Sequence, residues 1–471
     1  MKKILLSILF LSFSIITNAQ CYDNLTFGSS HTIGKTNSGY LMGWGYGAAG
    51  QLLTTNSTEP NPVQLGTAND WNAVYNGVSN TFAIKNNGTL WGSGSNQHGS
   101  LGVNSSNPNF TSFQQITTAT NWVKVAPSYF HTIALKADGT LWGWGRNDYY
   151  QTGNTPATLN QLIPLQIGTD TDWVEIAAGT SSTSFALKSN GTIWGWGSNP
   201  SSIIVSGSGT TTVSTPTQVG TDSDWVKMSV GGGHILAQKQ NGTLWSWGGG
   251  DALGVGGIPY ITNIPQQVST DTWKSFSTGT GTSFGIKSDG TLWAWGYNGD
   301  GELGLGHTNS PITIPTQIGT DTNWETVQAR NFATSMATKT DGSVWYWGRN
   351  YYGEFGNGTD YDLNFYTSPQ QTLGICVTPL STPIFQQENV FTMYPNPAKD
   401  VVNLAYNLND TDAIDATVSI YDVTGRLIHE VALDTVSGTR KLNVSTYPTG
   451  VYLVLVKRGA AVVSSSKLVV E

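Results

Sequence analysis

Charge is what this sequence has least of. Lys, Arg, Asp and Glu make up 11% of its 471 residues, and no basic run occurs. Neutralising a phosphate backbone needs clustered Lys and Arg, so binding to nucleic acid is disfavoured. The formal net charge of −8 becomes −10 once Lys2 and Lys3 are set aside. Lys, Glu and Ala, the residues that build long helices, are sparse, while Gly, Thr and aromatics abound; many short strands with tight turns are expected. Cysteine is limited to Cys21 and Cys376. Beyond the N-terminus no segment is apolar enough to cross a membrane.

That N-terminus, Met1-Lys2-Lys3 followed by an apolar run over 4–16 and then Thr17-Asn18-Ala19, reads as a secretory signal over 1–19. Cleavage after Ala19 would leave Gln20 first. Cys21 raises the question of a lipid anchor, but Asn18-Ala19-Gln20 lacks the apolar and small residues such sites carry.

What the chain has in excess is 56 Gly and 18 Trp, and both follow a period. Gly139-Thr140-Leu141-Trp142-Gly143-Trp144-Gly145 has close copies beginning at Gly39, Gly88, Gly191, Gly242, Gly290 and Gly342, at intervals of 49, 51, 52, 51, 48 and 52 residues. Such a period marks a repeat architecture. Each repeat opens on a Trp, namely Trp71, Trp122, Trp173, Trp225, Trp273 and Trp324, with Tyr22 in that place in the first. Turns such as Asn86-Asn87-Gly88 and Ala137-Asp138-Gly139 then join two strands as hairpins. All 18 Trp fall on repeat positions, as six openers, six first and six second Trp of the motif. Trp locked to a repeat suggests packing between adjacent sheets, with glycines leaving room for the neighbouring ring. Seven repeats over 20–376 therefore give a closed seven-bladed β-propeller, which leaves no long exposed edge.

The Leu-Trp-Gly-Trp-Gly strand, with loops such as Asn298-Gly299-Asp300-Gly301-Glu302-Leu303-Gly304 and Asn96-Gln97-His98-Gly99-Ser100-Leu101-Gly102, resembles the regulator of chromosome condensation repeat family. The resemblance implies a seven-bladed propeller. It weakens at 198–215, a Ser/Gly/Thr-rich loop, and at Tyr149-Tyr150-Gln151-Thr152-Gly153. The founding member's partners, a nuclear GTPase and chromatin, are out of reach of an acidic exported chain, so that function is not transferred.

Positions 377–390, with Pro379, Pro383 and no repeat, read as a linker. A different pattern follows over 391–471, with alternating runs at 401–406, 416–421, 427–433, 441–444, 451–456 and 461–470, the strands of a small β-sandwich. Phe391-Thr392-Met393-Tyr394-Pro395-Asn396-Pro397, Tyr421-Asp422-Val423-Thr424-Gly425-Arg426, Pro448-Thr449-Gly450-Val451-Tyr452 and Lys467-Leu468-Val469-Val470-Glu471 resemble the type A C-terminal sorting domain of the type IX secretion system. That resemblance implies contact with the secretion machinery, export across the outer membrane of a Gram-negative bacterium, and a product released or held at the cell surface.

Chemistry is hard to find. His31, His131 and His234 share one repeat position, but equivalent positions ring the axis rather than converge on an ion, so a polar ring bonded to backbone between blades is expected and no metal. Gly281-Thr282-Ser283-Phe284-Gly285 fits a nucleophile pattern that needs a strand-to-helix elbow, yet it lies on a repeat strand. Asp300, Glu302 and Asn298 lack the full ligand set of a calcium loop. No cofactor is expected. The reading is a secreted or surface binding propeller recognising a protein or glycan through the loops after each Gly-Trp-Gly, with Tyr46, Tyr149, Tyr150, Tyr297, Tyr351 and Tyr352 as binding residues. The competing reading is a secreted enzyme degrading polysaccharide or protein with its site on the propeller face, and it needs acidic pairs that break the repeat.

Cys21 directly precedes Tyr22, and Cys376 lies where an eighth opener would begin, after Pro369-Gln370-Gln371. In a closed ring the two places coincide, so a Cys21–Cys376 disulfide is expected, as an oxidising destination permits.

Overall fold

The computed structural model describes residues 20–154, 159–204, 211–256, 261–329, 334–378, 391–408, 416–422, 426–433, 435, 437–458 and 461–471. The expected signal segment and positions 379–390 of the expected linker lie outside the described residues. Two compact units are present, Met1–Pro379 and Leu380–Glu471.

The first unit is an all-β propeller of seven four-stranded antiparallel blades. The first blade runs from inside to outside through Gln20–Phe27, His31–Thr36, Leu41–Tyr46 and Thr58–Gln64. The second repeats this with Trp71–Asn76, Asn80–Lys85, Leu90–Ser95 and Asn109–Gln115, and the pattern continues to the seventh, Trp324–Ala329, Thr334–Lys339, Ser343–Asn350 and Asp362–Val377. Asn-Gly and Asp-Gly make the inner hairpins because the turn needs positive φ; Gly88 sits at +77° and Gly139 at +76°.

The 18 Trp have separate tasks. The six second Trp, Trp44, Trp144, Trp196, Trp247, Trp295 and Trp347, are fully buried, and each indole Nε1 donates to a loop carbonyl of the preceding blade at 2.8–3.1 Å. A loop glycine lies against the ring: a Cβ on Gly102, Gly254, Gly304 or Gly356 would come within 2.6–2.9 Å of Trp144, Trp295, Trp347 or Trp44. The same carbonyl accepts a hydroxyl of the next blade in most junctions, as Ser100 does from Thr132 and Gln151 from Ser184.

The six openers are also buried, while the six first Trp, from Trp91 to Trp345, are half-buried and donate within their own hairpin, as Trp142 does to Thr140 Oγ1. Between opener and first Trp stands a lysine the sequence reading overlooked. Lys85, Lys136, Lys188, Lys239, Lys287 and Lys339 each place Nζ 3.7–5.6 Å from both ring centres. Five of these lysines also pair with an aspartate before the opener. Cation–π contacts between partly covered groups are worth about 0.5–2 kcal/mol each.

Each blade comes from one contiguous repeat, so no blade is shared between the chain ends. Closure relies instead on a short parallel pairing, Gln20 with Ile375, Cys21 with Cys376 and Tyr22 with Val377. Val377 N donates to Gly342 O as Trp324 N donates to Gly290 O, so the chain begins an eighth opener beside the first. Cys21 and Cys376 are joined there as a disulfide with Cα atoms 4.4 Å apart and a sequence separation of 355. Closing a loop of that length removes on the order of 5 kcal/mol of unfolded-state entropy in the chain-entropy model.

The second unit is a sandwich of a three-stranded sheet, Phe391–Tyr394, Val401–Asn407 and Ser437–Asn443, and a four-stranded sheet, Leu427–Leu433, Ala416–Asp422, Gly450–Arg458 and Ala461–Val470. Leu404, Val418, Ile420, Val454 and Leu468 fill its core. The strand expected at 441–444 starts earlier, at Ser437, because Val401–Asn407 offers a full-length partner edge.

Among the described residues, one blade junction departs from the rule at both positions. Ser93, fully buried with its Oγ unpartnered, stands where the other blades have the second Trp. Opposite it Leu53 replaces the loop glycine and keeps the left-handed backbone at φ +55°. Leu53 packs with Leu52, Leu65, Trp71, Trp91 and Phe113. The two exceptions therefore compensate each other. Ser93→Trp alone should destabilise the propeller by about 1–3 kcal/mol through overpacking against Leu53. Adding Leu53→Gly should recover most of that loss, which denaturant melts of both variants would show; additive losses would disprove the pairing.

Candidate functional site

The strand order puts two kinds of loop at one end of the ring: the short connections between first and second strands, near the axis, and the long ones after each Gly-Trp-Gly. The opposite end carries the Asn-Gly hairpins and the lysine–tryptophan stacks, which are built alike in blade after blade. Variation is concentrated at the long-loop end.

An asparagine organises each well-formed long loop. Asn96, Asn147, Asn199, Asn298 and Asn350 accept at Oδ1 from the backbone N–H of Leu101, Thr152, Ile204, Leu303 and Phe355, at 2.9–3.1 Å. Asn96 and Asn298 also donate across the loop, to Ser105 and Asn107 and to His307 and Asn309. Asn298, considered above as a calcium ligand, is thus a loop brace, and the loop at 198–215 retains the brace despite its different sequence. Among the described residues no group of three or more His, Cys, Asp and Glu gathers.

The tyrosines singled out from sequence divide three ways. Tyr46, Tyr351 and Tyr352 come together over the closing junction: Tyr46 and Tyr352 have ring centres 4.8 Å apart, as do Tyr351 and Tyr352. Tyr361, which sequence reasoning missed, joins at 5.6 Å from Tyr351, is 54% exposed, and faces Ser57 Oγ across the junction. Tyr149 and Tyr150 lie on the third blade's loop, Tyr149 exposed and Tyr150 at φ +63°. Tyr297 stands apart on the sixth, 52% exposed.

A second aromatic cluster also went unnoticed. Phe130 contacts His98 at 5.1 Å, Tyr129 at 5.7 Å and the Arg146 guanidinium at 5.8 Å, and Arg146 is held by Asp148. The available signal was positional: Phe130 precedes His131 where other repeats have Ser30, Ser79, Ser182, Gly233 or Gly281. Aromatic residues thus gather on the seventh, first, second and third blades.

The histidines are buried between blades. His31, His131 and His234 meet the hydroxyls of Thr81, Ser184 and Ser283 on the next blade at 2.9–3.2 Å. Their Nε2 meets a side-chain hydroxyl that relays the bond to a loop carbonyl, and His131 and His234 also bond the backbone of Thr183 and Thr282 on the next blade, as expected. Ser283 of the Gly-x-Ser-x-Gly segment is one of these relays. Burial pushes His131 and His234 down to about 4.

Glu302 and Glu354 are buried at junctions, each accepting a backbone N–H two residues back, from Asp300 and Tyr352. Gln51 and Gln151 accept the same bond in other blades without a charge. Burial pushes both carboxyls up to about 7.

Two cavities matter. One of about 230 Å³ lies on the axis, lined by the innermost strand of every blade. Another of about 360 Å³ opens beside Trp225, Trp245 and Ile264.

With this geometry in view, similarity to known proteins can be placed. The regulator of chromosome condensation (RCC1) repeat matches residues 122–151, 173–202 and 273–302, and in a second description 138–186 and 289–330. The secretion system C-terminal sorting domain matches 392–471. The ultraviolet-B receptor UVR8 of Arabidopsis thaliana is 28% identical over 238 residues, covering 49% of this chain and 54% of the receptor. The mitochondrial RCC1 domain-containing protein RUG3 of the same plant is 28% identical over 273 residues, covering 52% and 58%. The chain thus spans little more than half the length of these relatives. Among solved structures, human WBSCR16 superposes with a TM-score of 0.59 at 19% identity, covering 67% of this chain and 85% of that one. Prp20p of Saccharomyces cerevisiae gives 0.58 at 19%, covering 65% and 80%. At these identities the structures support the propeller fold alone.

The junction groups carry a pH prediction. Raised carboxyls add stability that is complete below their ordinary value near 4.5 and is lost as pH rises through 7. Lowered histidines add stability that is complete above 6.5 and is lost as pH falls through 4. The two windows overlap, so between about 4.5 and 6.5 the loss of one contribution offsets the gain of the other, and their sum falls on either side of that range. Glu302→Gln with Glu354→Gln should raise Tm at pH 8 and leave it nearly unchanged at pH 5; equal shifts at both pH values would contradict the assignment.

Proposed function

We propose that this chain, a propeller of regulator of chromosome condensation repeats followed by a secretion-system sorting domain, is an exported binding protein that recognises an extracellular protein or glycan through its long-loop face. The observation that carries the reading is the cluster of Tyr46, Tyr351, Tyr352 and Tyr361, four phenols gathered across the closing junction. Tyrosine offers wide amphipathic contact with little side-chain entropy to lose, which is why binding surfaces favour it. Tyr149, Tyr150 and Tyr297 extend the surface in this reading. The buried carboxyls are absorbed in junction hydrogen bonds, which favours binding over hydrolysis at this face.

The sorting domain indicates export to the cell surface or medium. The route proposed is inner-membrane passage by the segment 1–19, then the type IX machinery of a Gram-negative bacterium recognising 391–471. No helix among the described residues is long and apolar enough to cross a membrane.

Two experiments test the reading. Tyr351→Ala with Tyr352→Ala should weaken binding to whatever the wild type captures on glycan and surface-protein arrays by about tenfold or more. Unchanged binding with an unchanged melting curve would remove the face from consideration. Deleting 391–471 should leave a folded propeller retained inside the producing cell, and normal display or release of the truncated chain would refute the delivery role.

A further inference from the structure

The cavity of about 360 Å³ lies where the fourth blade meets the fifth. Ile204 and Val219 of the fourth blade, with Trp225, Trp245 and Pro265 of the fifth, form its apolar wall. Ile264, on the same wall, is 63% exposed.

The second blade shows which shape suits this place. Its counterparts of the wall residues are Leu52, Leu65, Trp71, Trp91 and Phe113, which pack together as one cluster. Phe113 and Pro265 are equivalent, each two residues before the glutamine paired with the first Trp of the motif, Gln115 with Trp91 and Gln267 with Trp245. The Phe113 ring centre lies 4.8 Å from that of Trp71, and Lys85 still stands over Trp71 and Trp91. A flat six-membered ring against the opener is therefore compatible with the lysine strut. In the fifth blade, proline supplies no such ring.

The polar groups on the wall say what else the occupant must carry. Asp222 stands where the second blade has Ala68. Its Oδ2 is held by Lys239 at 2.8 Å, and Asp224 holds the same ammonium at 3.1 Å. Two carboxylates thus share one cation, which disfavours an incoming anion. Lys188 is held the same way by Asp170 and Asp172, so the doubled carboxylate alone does not mark a site. Gln218 gives its amide N–H to Gly220 O at 3.3 Å and keeps its Oε1. Among the described residues Asn263 makes no side-chain hydrogen bond. Trp122 Nε1 donates to Thr117 Oγ1 at 3.1 Å, but Gly220 takes the place of that threonine beside Trp225. The wall therefore offers both acceptors and donors around an apolar surface.

We propose that this cavity binds a pyranose without an acidic group, either a free sugar or one residue of a polysaccharide. The C–H face of the ring lies on Trp245 and Pro265, in the place that Phe113 fills in the second blade. Hydroxyls donate to Asp222 Oδ1 and Gln218 Oε1 and accept from Asn263 Nδ2 and Trp225 Nε1. A uronic acid would bring its carboxylate beside Asp222. A benzene ring suits the apolar wall but leaves the polar groups without partners. The volume is near the lower end of the roughly 300–1,000 Å³ of small-ligand sites, room for one or two sugar rings. This junction is separate from the closing junction that carries the tyrosines, and neither reading depends on the other.

The test is calorimetric titration of the full-length protein with D-glucose, D-galactose, D-mannose, D-glucosamine, maltotriose, cellotriose, D-glucuronate and benzyl alcohol. At least one of the non-acidic sugars should bind saturably, about tenfold tighter than D-glucuronate or benzyl alcohol. A trisaccharide that binds about tenfold tighter than its monosaccharide assigns a polysaccharide residue, and equal affinities assign a free sugar. Two variants transplant residues of the second blade into the fifth. Asp222→Ala leaves Lys239 with Asp224 and should weaken binding about tenfold. Pro265→Phe should fill the cavity and abolish binding with the melting curve retained, whereas Tyr351→Ala with Tyr352→Ala should leave binding intact. No sugar bound up to about 10 mM, an unaffected Asp222→Ala variant, binding that survives a folded Pro265→Phe, or binding lost with the tyrosine pair would each overturn the proposal. Should Pro265→Phe fail to fold, Asp222→Ala decides.

Discussion

The propeller depends on one contact repeated around the ring: an indole N–H of one blade held by a loop carbonyl of the blade before it, with a glycine beneath the ring. Trp144 on Ser100 O and Gly102, Trp347 on Glu302 O and Gly304, and Trp44 on Glu354 O and Gly356 are the same arrangement in different places. A single repeat has no neighbour to supply that carbonyl, so its largest side chain is satisfied only in the assembled ring. Where Ser93 replaces the Trp, Leu53 replaces the glycine, although leucine in a left-handed conformation costs about 1–2 kcal/mol.

The two ends of the ring divide the work. At the hairpin end each lysine is enclosed by two indoles and, in most blades, held by an aspartate, so a chain with few charges uses several of its cations as struts. The arrangement recurs nearly unchanged and leaves little freedom for surface variation. At the long-loop end the asparagine brace fixes where each loop begins and how it turns, and the intervening residues are free to differ. The seventh, first, third and sixth blades carry tyrosines there, while the fifth has Gly231, Gly232 and Gly233 in its short connection. A surface of this kind diversifies without disturbing the junctions below it.

Closure sets a further constraint. A propeller that completes its last blade with strands from both chain ends gains a full set of ladder bonds at the seam, whereas this one pairs only Gln20–Tyr22 with Ile375–Val377. The disulfide lies in that pairing, at the position equivalent to the polar residue before each Trp opener (aspartate or asparagine in five, Thr272 in the sixth), approached from both termini. The tyrosine cluster sits over the same seam, so the loops proposed to bind a partner rest on its covalently closed part.

Much of this was legible in the residues because it is local or periodic. Asn-Gly pairs set the hairpins, the spacing of Trp and Gly set the blade count, and the two cysteines flanked equivalent openers. Local pattern also located the tail's strands, apart from the edge that Val401–Asn407 extended. The ring alone decided which residues of different blades meet. It brought Tyr361 to Tyr351, left Tyr297 by itself, placed Lys85 between Trp71 and Trp91, and turned the histidines toward hydroxyls one repeat away. The axial cavity, lined by the innermost strand of every blade, has no counterpart in any single repeat. Sequence period reports what each blade does for itself, whereas contacts across blades and around the axis exist only once the chain has closed.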